Sequence, residues 1–239
     1  HWGCSTSAHQ IEGNTVNDWS QWETSIDRQA SLRQEGKNPE EFVSGAACDS
    51  WNQFEEDVKC LKELGVNSYR FSLEWSRIEP ERGQFDEAVI KRYAFFVRRL
   101  KEEGIEPFVT LWHWPLPLWV RDQGGWLNKQ TIQDFVTFSQ SVVRVLGSEV
   151  KFWITINEPL VYASNAYYSG KWPPQERSLG KTIRVARHLV QAHKQAYEAI
   201  KKINSNLQVG LAKHNIHFSA KQPWIVNRLI ARASTYFWN

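Results

Sequence analysis

The chain has 239 residues and 27.9 kDa, room for one α/β barrel, which typically takes about 250 residues. With 41% hydrophobic and 13% aromatic residues it can bury a sizeable core, and 29 basic against 26 acidic residues leave a net charge of +3. That balance argues against a nucleic-acid or anionic-membrane partner, and no apolar run approaches the roughly 18 residues a bilayer span needs.

Three cysteines, Cys4, Cys48 and Cys60, form no C-x-x-C pair, and no Asn-x-Ser/Thr acceptor occurs. The odd count and the spacing indicate neither a disulfide framework nor a zinc site, and point to a reducing, cytoplasmic setting. No basic-then-apolar leader precedes the first motif. The chain opens on His1 and contains no methionine, as expected of a fragment of a longer protein.

In chain order, the opening "HWGCSTSAHQIEG" is expected to be the tail of a first strand and its loop. Trp51, Phe54, Val58, Leu61 and Leu64 recur at helical spacing over 49–64, with Gly65 as the stop. "VNSYRFSLEW" (66–75) alternates apolar and polar residues and predicts a strand. A helix over 86–103 follows, with Asp86 as N-cap, Val89, Tyr93, Phe96, Val97 and Leu100 on one face, and Gly104 past its end. "IEPFVTLWHW" (105–114) predicts a strand. Ile132, Phe135, Val136, Val142, Val143 and Leu146 mark a helix over 129–146, and "VKFWITINE" (150–158) a further strand. The segment 180–203 carries Ile183, Ala186, Leu189, Val190, Tyr197 and Ile200 at helical spacing, and "LQVGLAKHN" (207–215) is the last strand signal.

Strands alternating with helices imply a parallel sheet covered by helices. An open doubly wound sheet and a (β/α)8 TIM barrel both satisfy this pattern. No G-x-G-x-x-G turn follows any strand, which counts against a dinucleotide-binding sheet. The strands instead end in polar or aromatic side chains: Glu74 and Trp75, His113 and Trp114, Asn157 and Glu158, His214 and Asn215. In a barrel such ends converge on one face, where the active site is built. A barrel is therefore expected, here as roughly its first five βα units in a single, incomplete domain over 1–239.

The stretch "ITINEP" (154–159) places a carboxyl where a buried strand ends and a proline forbids its continuation. Pro159 biases Glu158 towards extended geometry. Burial among apolar groups favours the protonated form of a carboxyl, which suits proton donation. By position alone, Glu158 could equally pair with a nearby Arg or Lys.

The stretches "TSAHQIEG" (6–13), "NDWSQWE" (17–23), "YRFSLEWSRIEPERG" (69–83), "TLWHWPLPLWV" (110–120), "WITINEP" (153–159) and, more loosely, "GLAKHNIHFSA" (210–220) resemble glycoside hydrolase family 1, the β-glucosidase family. The resemblance runs from the first residue to the last. It implies a (β/α)8 barrel that hydrolyses β-linked glycosides with retention of configuration and needs no cofactor. Carried over position by position, Glu158 resembles the acid/base residue, and Asn157 the residue that binds the sugar 2-hydroxyl. Gln10 and His113 resemble the pair that grips hydroxyls at the far side of the ring. Trp114 resembles their aromatic neighbour, and Arg70 the arginine that keeps the nucleophile ionised.

Each has a plainer alternative. Gln10 could satisfy loop backbone, His113 could be a core histidine, and Arg70 inside a strand must be paired in any case. Trp114 could be core, as most of the 13 tryptophans must be. Flat apolar faces with an N–H handle nevertheless suit pyranose rings, so Trp112, Trp119, Trp126 and Trp172 are further cleft candidates. His188, His193, His214 and His217 lack accompanying carboxylates, so no metal is expected.

One departure stands out. The family's nucleophile is a Glu in a Thr/Ser-Glu-Asn-Gly motif on the seventh strand. That motif is absent, and no Asp or Glu of any kind follows Glu198. Glu74 is the one substitute weighed, at a separation better suited to an inverting pair. The expected function is thus a retaining β-glycosidase whose nucleophile is not on this chain; the alternative is a non-catalytic carbohydrate-binding fragment or inactive remnant. The expected partners are a β-glycoside or oligosaccharide, and either a second copy or a complementary C-terminal half that covers the open sheet edges.

Overall fold

Five short strands lie side by side in sequence order, every neighbouring pair parallel. They are Gly3–Ser5 (β1), Ser68–Ser72 (β2), Glu106–Trp112 (β3), Phe152–Asn157 (β4) and Gln208–Ala212 (β5). They belong to a computed structural model that describes residues 1–238. A long helix follows each strand: Ser50–Glu63 (α1), Glu87–Glu102 (α2), Gln130–Leu146 (α3), Leu179–Ile203 (α4) and Ile225–Trp238 (α5). This is the topology of the first five units of a (β/α)8 barrel, as the alternating pattern predicts.

The helices form where spacing and caps direct them. Asp86 accepts hydrogen bonds from the backbone N–H of Ala88 and Val89 and starts α2. Gly104, at φ +73°, ends that helix in the left-handed region. Between these points Ile90, Tyr93, Val97 and Leu100 are buried against the sheet. In α1 the buried residues are Phe54, Val58 and Leu61, whereas Leu64 lies beyond the last turn and is 66% exposed.

Helix α4 departs further from expectation. Its buried residues are Val185, Leu189, Ala192, Ala196, Ala199 and Ile200. Ile183, Val190 and Tyr197, seven residues apart, are exposed on the opposite side. The seven-residue spacing is satisfied equally by both faces of a helix, and the inner one is filled by alanines.

Between sheet and helices the core is aromatic. Trp75 stacks on Phe138 at 5.0 Å, and Trp126 meets Trp112 at 5.0 Å and Phe135 at 5.9 Å. Trp112 donates its Nε1–H to the Pro115 carbonyl at 2.8 Å. Trp112 and Trp126 are thus core residues, not cleft aromatics, because the space between β3 and α3 is filled by their rings. Trp119 lies against Trp75 and donates to the Glu79 carbonyl at 2.9 Å.

The long connection after β1 carries two helices that spacing alone did not reveal, Asp18–Glu23 and Ile26–Gln34. It closes on itself at Gly13, φ +79°, where an added Cβ would sit 2.2 Å from the Ala46 carbonyl oxygen. Core placement gives a direct test. Phe135→Ala should lose about 3–5 kcal/mol in urea unfolding, whereas Ile183→Ala, on the outer face of α4, should stay within about 0.5 kcal/mol.

Candidate active site

Arg70 projects from β2 and reaches across two further strands. Its Nε–H donates to Thr110 Oγ1 on β3 at 3.0 Å, and its Nη2 donates to Asn157 Oδ1 at the end of β4. Burial lowers its pKa and the Glu158 carboxylate raises it again. The guanidinium therefore fixes the rotamer of Asn157 and sets a positive charge beside Glu158.

Glu158 is not extended. Its backbone is left-handed, φ 44° and ψ 61°, against the bias a following proline imposes. The reason is local. Pro159 opens a helical turn, Pro159–Ala163, where its fixed φ and missing N–H are suited to the first position. The chain must pass from strand to helix within one residue, and Glu158 makes the bend. Its N–H donates to the Ala212 carbonyl at 2.8 Å, and its carbonyl accepts from Tyr162 N–H at 3.1 Å, so both β5 and the helical turn hold it. The apolar enclosure expected around its carboxyl is also absent: the side chain is 26% exposed, with Oε1 3.2 Å from His214 Nδ1.

At the end of β3, Trp114 is also left-handed, φ 90°, and donates its Nε1–H to the Asn157 carbonyl at 3.1 Å. His113, the residue before it, has a buried Nδ1 without a hydrogen-bond partner among the described residues. Burial pushes its pKa down to about 3, aided by Arg70, so the ring is neutral. Gln10 is exposed on the turn Ala8–Ile11. It shares a cavity of about 330 Å³ with Ser7, Trp19, Phe42, His113 and Trp114. Trp172 packs on Trp114 at 4.5 Å and on Trp19 at 5.3 Å. The structure thus gathers the candidates in two groups: Gln10, His113 and Trp114 around the cavity, and Arg70, Asn157 and Glu158 at the end of β4. The Trp114–Asn157 bond joins them.

Sequence reasoning missed the buried polar network beneath this site. His9 Nε2 lies 3.0 Å from Glu23 Oε1. Glu23 Oε2 accepts from the Ser44 N–H at 2.9 Å and hydroxyl at 2.8 Å. Asn17 donates to Glu74 at 3.2 Å, and the Ser76 hydroxyl does so at 2.6 Å. Glu12 accepts from Tyr93 at 2.6 Å and pairs with Arg77 at 3.2 Å. The signal was the density of charge in "SAHQIEGNTVNDW", too rich for an ordinary exposed loop. Glu74 is buried and bound within this network, a structural carboxylate rather than one open to a substrate. Among the described residues no group of three His, Cys, Asp or Glu is arranged to hold a metal ion. His188 and His193 instead bond to the Trp126 carbonyl and to Thr155.

The glycosyl hydrolase family 1 profile matches residues 1–229. The chain belongs to glycosyl hydrolase family 1. Beta-glucosidase A of Acetivibrio thermocellus is 34% identical over 223 residues, covering 92% of this chain and 49% of that protein. Beta-glucosidase A of Thermotoga maritima is 33% identical over 91% of this chain and 48% of its own length. Among solved structures, the family 1 β-glucosidase from Thermotoga maritima superposes with a TM-score of 0.90 at 29% identity. The β-glycosidase from Pyrococcus horikoshii does so with 0.86 at 34% identity. Each covers 100% of this chain and 53% of its own. This family 1 chain spans about half the length of the curated relatives it matches.

The buried network makes stability depend on pH. Burial raises Glu12 and Asp18 from 4.5 and 3.8 to about 7. A carboxyl raised in this way stabilises the fold fully below its unfolded pKa, and the contribution is lost as pH rises through the folded value. Burial lowers His9, but its bond to Glu23 and the charges of Glu74 and Asp18 outweigh that and raise it, which acts in the same direction. Glu23 acts oppositely: burial raises it, His9 and Ser44 lower it further, and its contribution is lost only in more acidic solution. The melting temperature should therefore fall by several degrees from about pH 5 to about pH 8. Glu12→Gln with Asp18→Asn should flatten that slope, as read by circular dichroism.

Proposed function

We propose that this chain forms the acid/base side of a retaining β-glycosidase site of the β-glucosidase type, within a single, incomplete barrel domain over 1–239. The observation that carries the reading is the left-handed placement of Glu158 at the end of β4, beside an Asn157 that Arg70 holds. Glu158 protonates the glycosidic oxygen as a carboxylate nucleophile attacks the anomeric carbon. It then takes the proton of the water that releases the glycosyl intermediate. Asn157 binds the 2-hydroxyl. Gln10 and His113 grip hydroxyls at the far side of the ring, the neutral imidazole both donating and accepting, with Trp114 as the apolar floor. Arg70 lies where it would hold the nucleophile ionised.

The nucleophile comes from a complementary segment of polypeptide. Retention needs two carboxyls roughly 5 to 5.5 Å apart, no Asp or Glu follows Glu198, and Glu74 is already engaged. The exposed Ile183, Val190 and Tyr197 of α4 and Ile225, Leu229 and Ile230 of α5 are the surfaces such a segment, or a second copy of the chain, would cover. The substrate is a β-glucoside or a related oligosaccharide. Unpaired thiols at Cys4, Cys48 and Cys60 are in keeping with a cytoplasmic setting, and no described helix is long and apolar enough to cross a membrane.

Because no described carboxylate is free to serve as nucleophile, a sugar-binding module without hydrolysis is the second reading. Hydrolysis of phenyl β-glucoside by the chain and by Glu158→Gln separates the two. Turnover that drops by about 10² to 10⁴ in the variant supports catalysis. Equal absence of turnover in both, with glucoside retained in equilibrium dialysis, establishes the binding module instead.

A further inference from the structure

Outside the inner cavity, and sharing Trp19 and Phe42 with it, lies a groove of about 710 Å³ between the Ile26–Gln34 helix, the loop that follows it and the segment 169–177. Its lining carries four cations, Arg28, Lys37, Lys171 and Arg177, against one carboxylate, Glu35. Lys37 occupies that carboxylate at 2.7 Å. The nearby Glu176 is held by Lys181. Arg28, Lys171 and Arg177 make no salt bridge among the described residues.

The groove is also aromatic, in a continuous run. Trp22 meets Trp19 at 5.7 Å, Trp19 meets Trp172 at 5.3 Å, and Trp172 meets Trp114 beside His113 at 4.5 Å. The Arg28 guanidinium lies 4.7 Å over the Trp22 ring. Three polar atoms of this lining are buried without a hydrogen-bond partner: Trp19 Nε1, Trp22 Nε1 and Arg28 Nε. All three are donors, and buried donors left unmatched are costly enough to be uncommon. They ask for an acceptor-rich ligand. Flat apolar faces ask for a planar body, and unpaired cations ask for negative charge.

Resting on the reading that the inner cavity holds the sugar, we propose that this groove selects β-glycosides whose leaving group is a planar body bearing an anionic oxygen group. A carboxylate, sulfate or phosphate supplies the shared chemistry. Its oxygens would satisfy Arg28 and the indole N–H donors, while the ring lies along Trp19, Trp22 and Trp172. The wall formed by Lys171 and Arg177 sets the preference for charge.

The test compares three ligands by intrinsic tryptophan fluorescence: 4-carboxyphenyl β-glucoside, its neutral carboxamide, and free 4-hydroxybenzoate, which reports on the groove without the sugar. The carboxylate glycoside should bind about tenfold tighter than the carboxamide, and that preference should shrink as salt is raised. Arg28→Gln with Lys171→Gln should abolish the preference and leave carboxamide binding unchanged. Trp22→Phe, which keeps the ring and removes the N–H, should weaken the carboxylate ligand alone. Equal affinity for the two glycosides, or a preference that survives the double substitution, overturns the proposal. If neither glycoside binds but 4-hydroxybenzoate does, with binding lost in the double variant, the groove stands and the sugar reading falls. If none of the three binds, both fall.

Discussion

One guanidinium organises the mouth of the sheet. Arg70 leaves the middle of β2 and is bonded to β3 through Thr110 and to β4 through Asn157, so three strands share a single planar donor. An arginine inside a sheet is tolerable only if its fork is filled, and here the groups that fill it are site residues. The requirement that buried charge be satisfied thus also imposes the geometry of the site. Trp114 extends the constraint by tying the end of β3 to the Asn157 carbonyl.

Beneath the site a second polar system joins the loops. Glu23 links His9, one residue before Gln10, to Ser44, in the segment that walls the cavity. Floor and wall are therefore one hydrogen-bonded unit, although 34 positions separate Gln10 and Ser44 along the chain. In a low-dielectric setting such a network rigidifies what it joins only while every member is satisfied. The protein has placed its acidic cluster where a modest change of proton occupancy is felt through the whole first loop.

The regular elements were legible because they obey simple periods. The strand over 105–114 appears as Glu106–Trp112 and the helix over 129–146 as Gln130–Leu146. What was illegible had either no period or two. His9, Glu23 and Ser44 lie in loops whose spacing carries no geometric signal. Ile183, Val190 and Tyr197 fit a helical stripe that lies opposite the buried one. Trp112 and Trp114 are two residues apart, yet one is core and the other lines a cavity, because Trp114 has already left the strand through a left-handed turn. The site residues were reached through resemblance rather than physics, and local rules gave the wrong backbone for Glu158, where the strand-to-helix junction overrides the proline's preference.

The backbone of Glu158 has one more implication. In a continuing strand, adjacent side chains point to opposite faces, so an amide and a carboxyl in succession could not serve one substrate. The residue at φ 44° breaks that alternation: Asn157 bonds the Arg70 guanidinium while Glu158, the next residue, acts on the same charge. Two unlike functional groups are thereby presented as a single rigid dipeptide. Their separation is set by covalent geometry rather than by packing, and motions of the surrounding loops cannot change it.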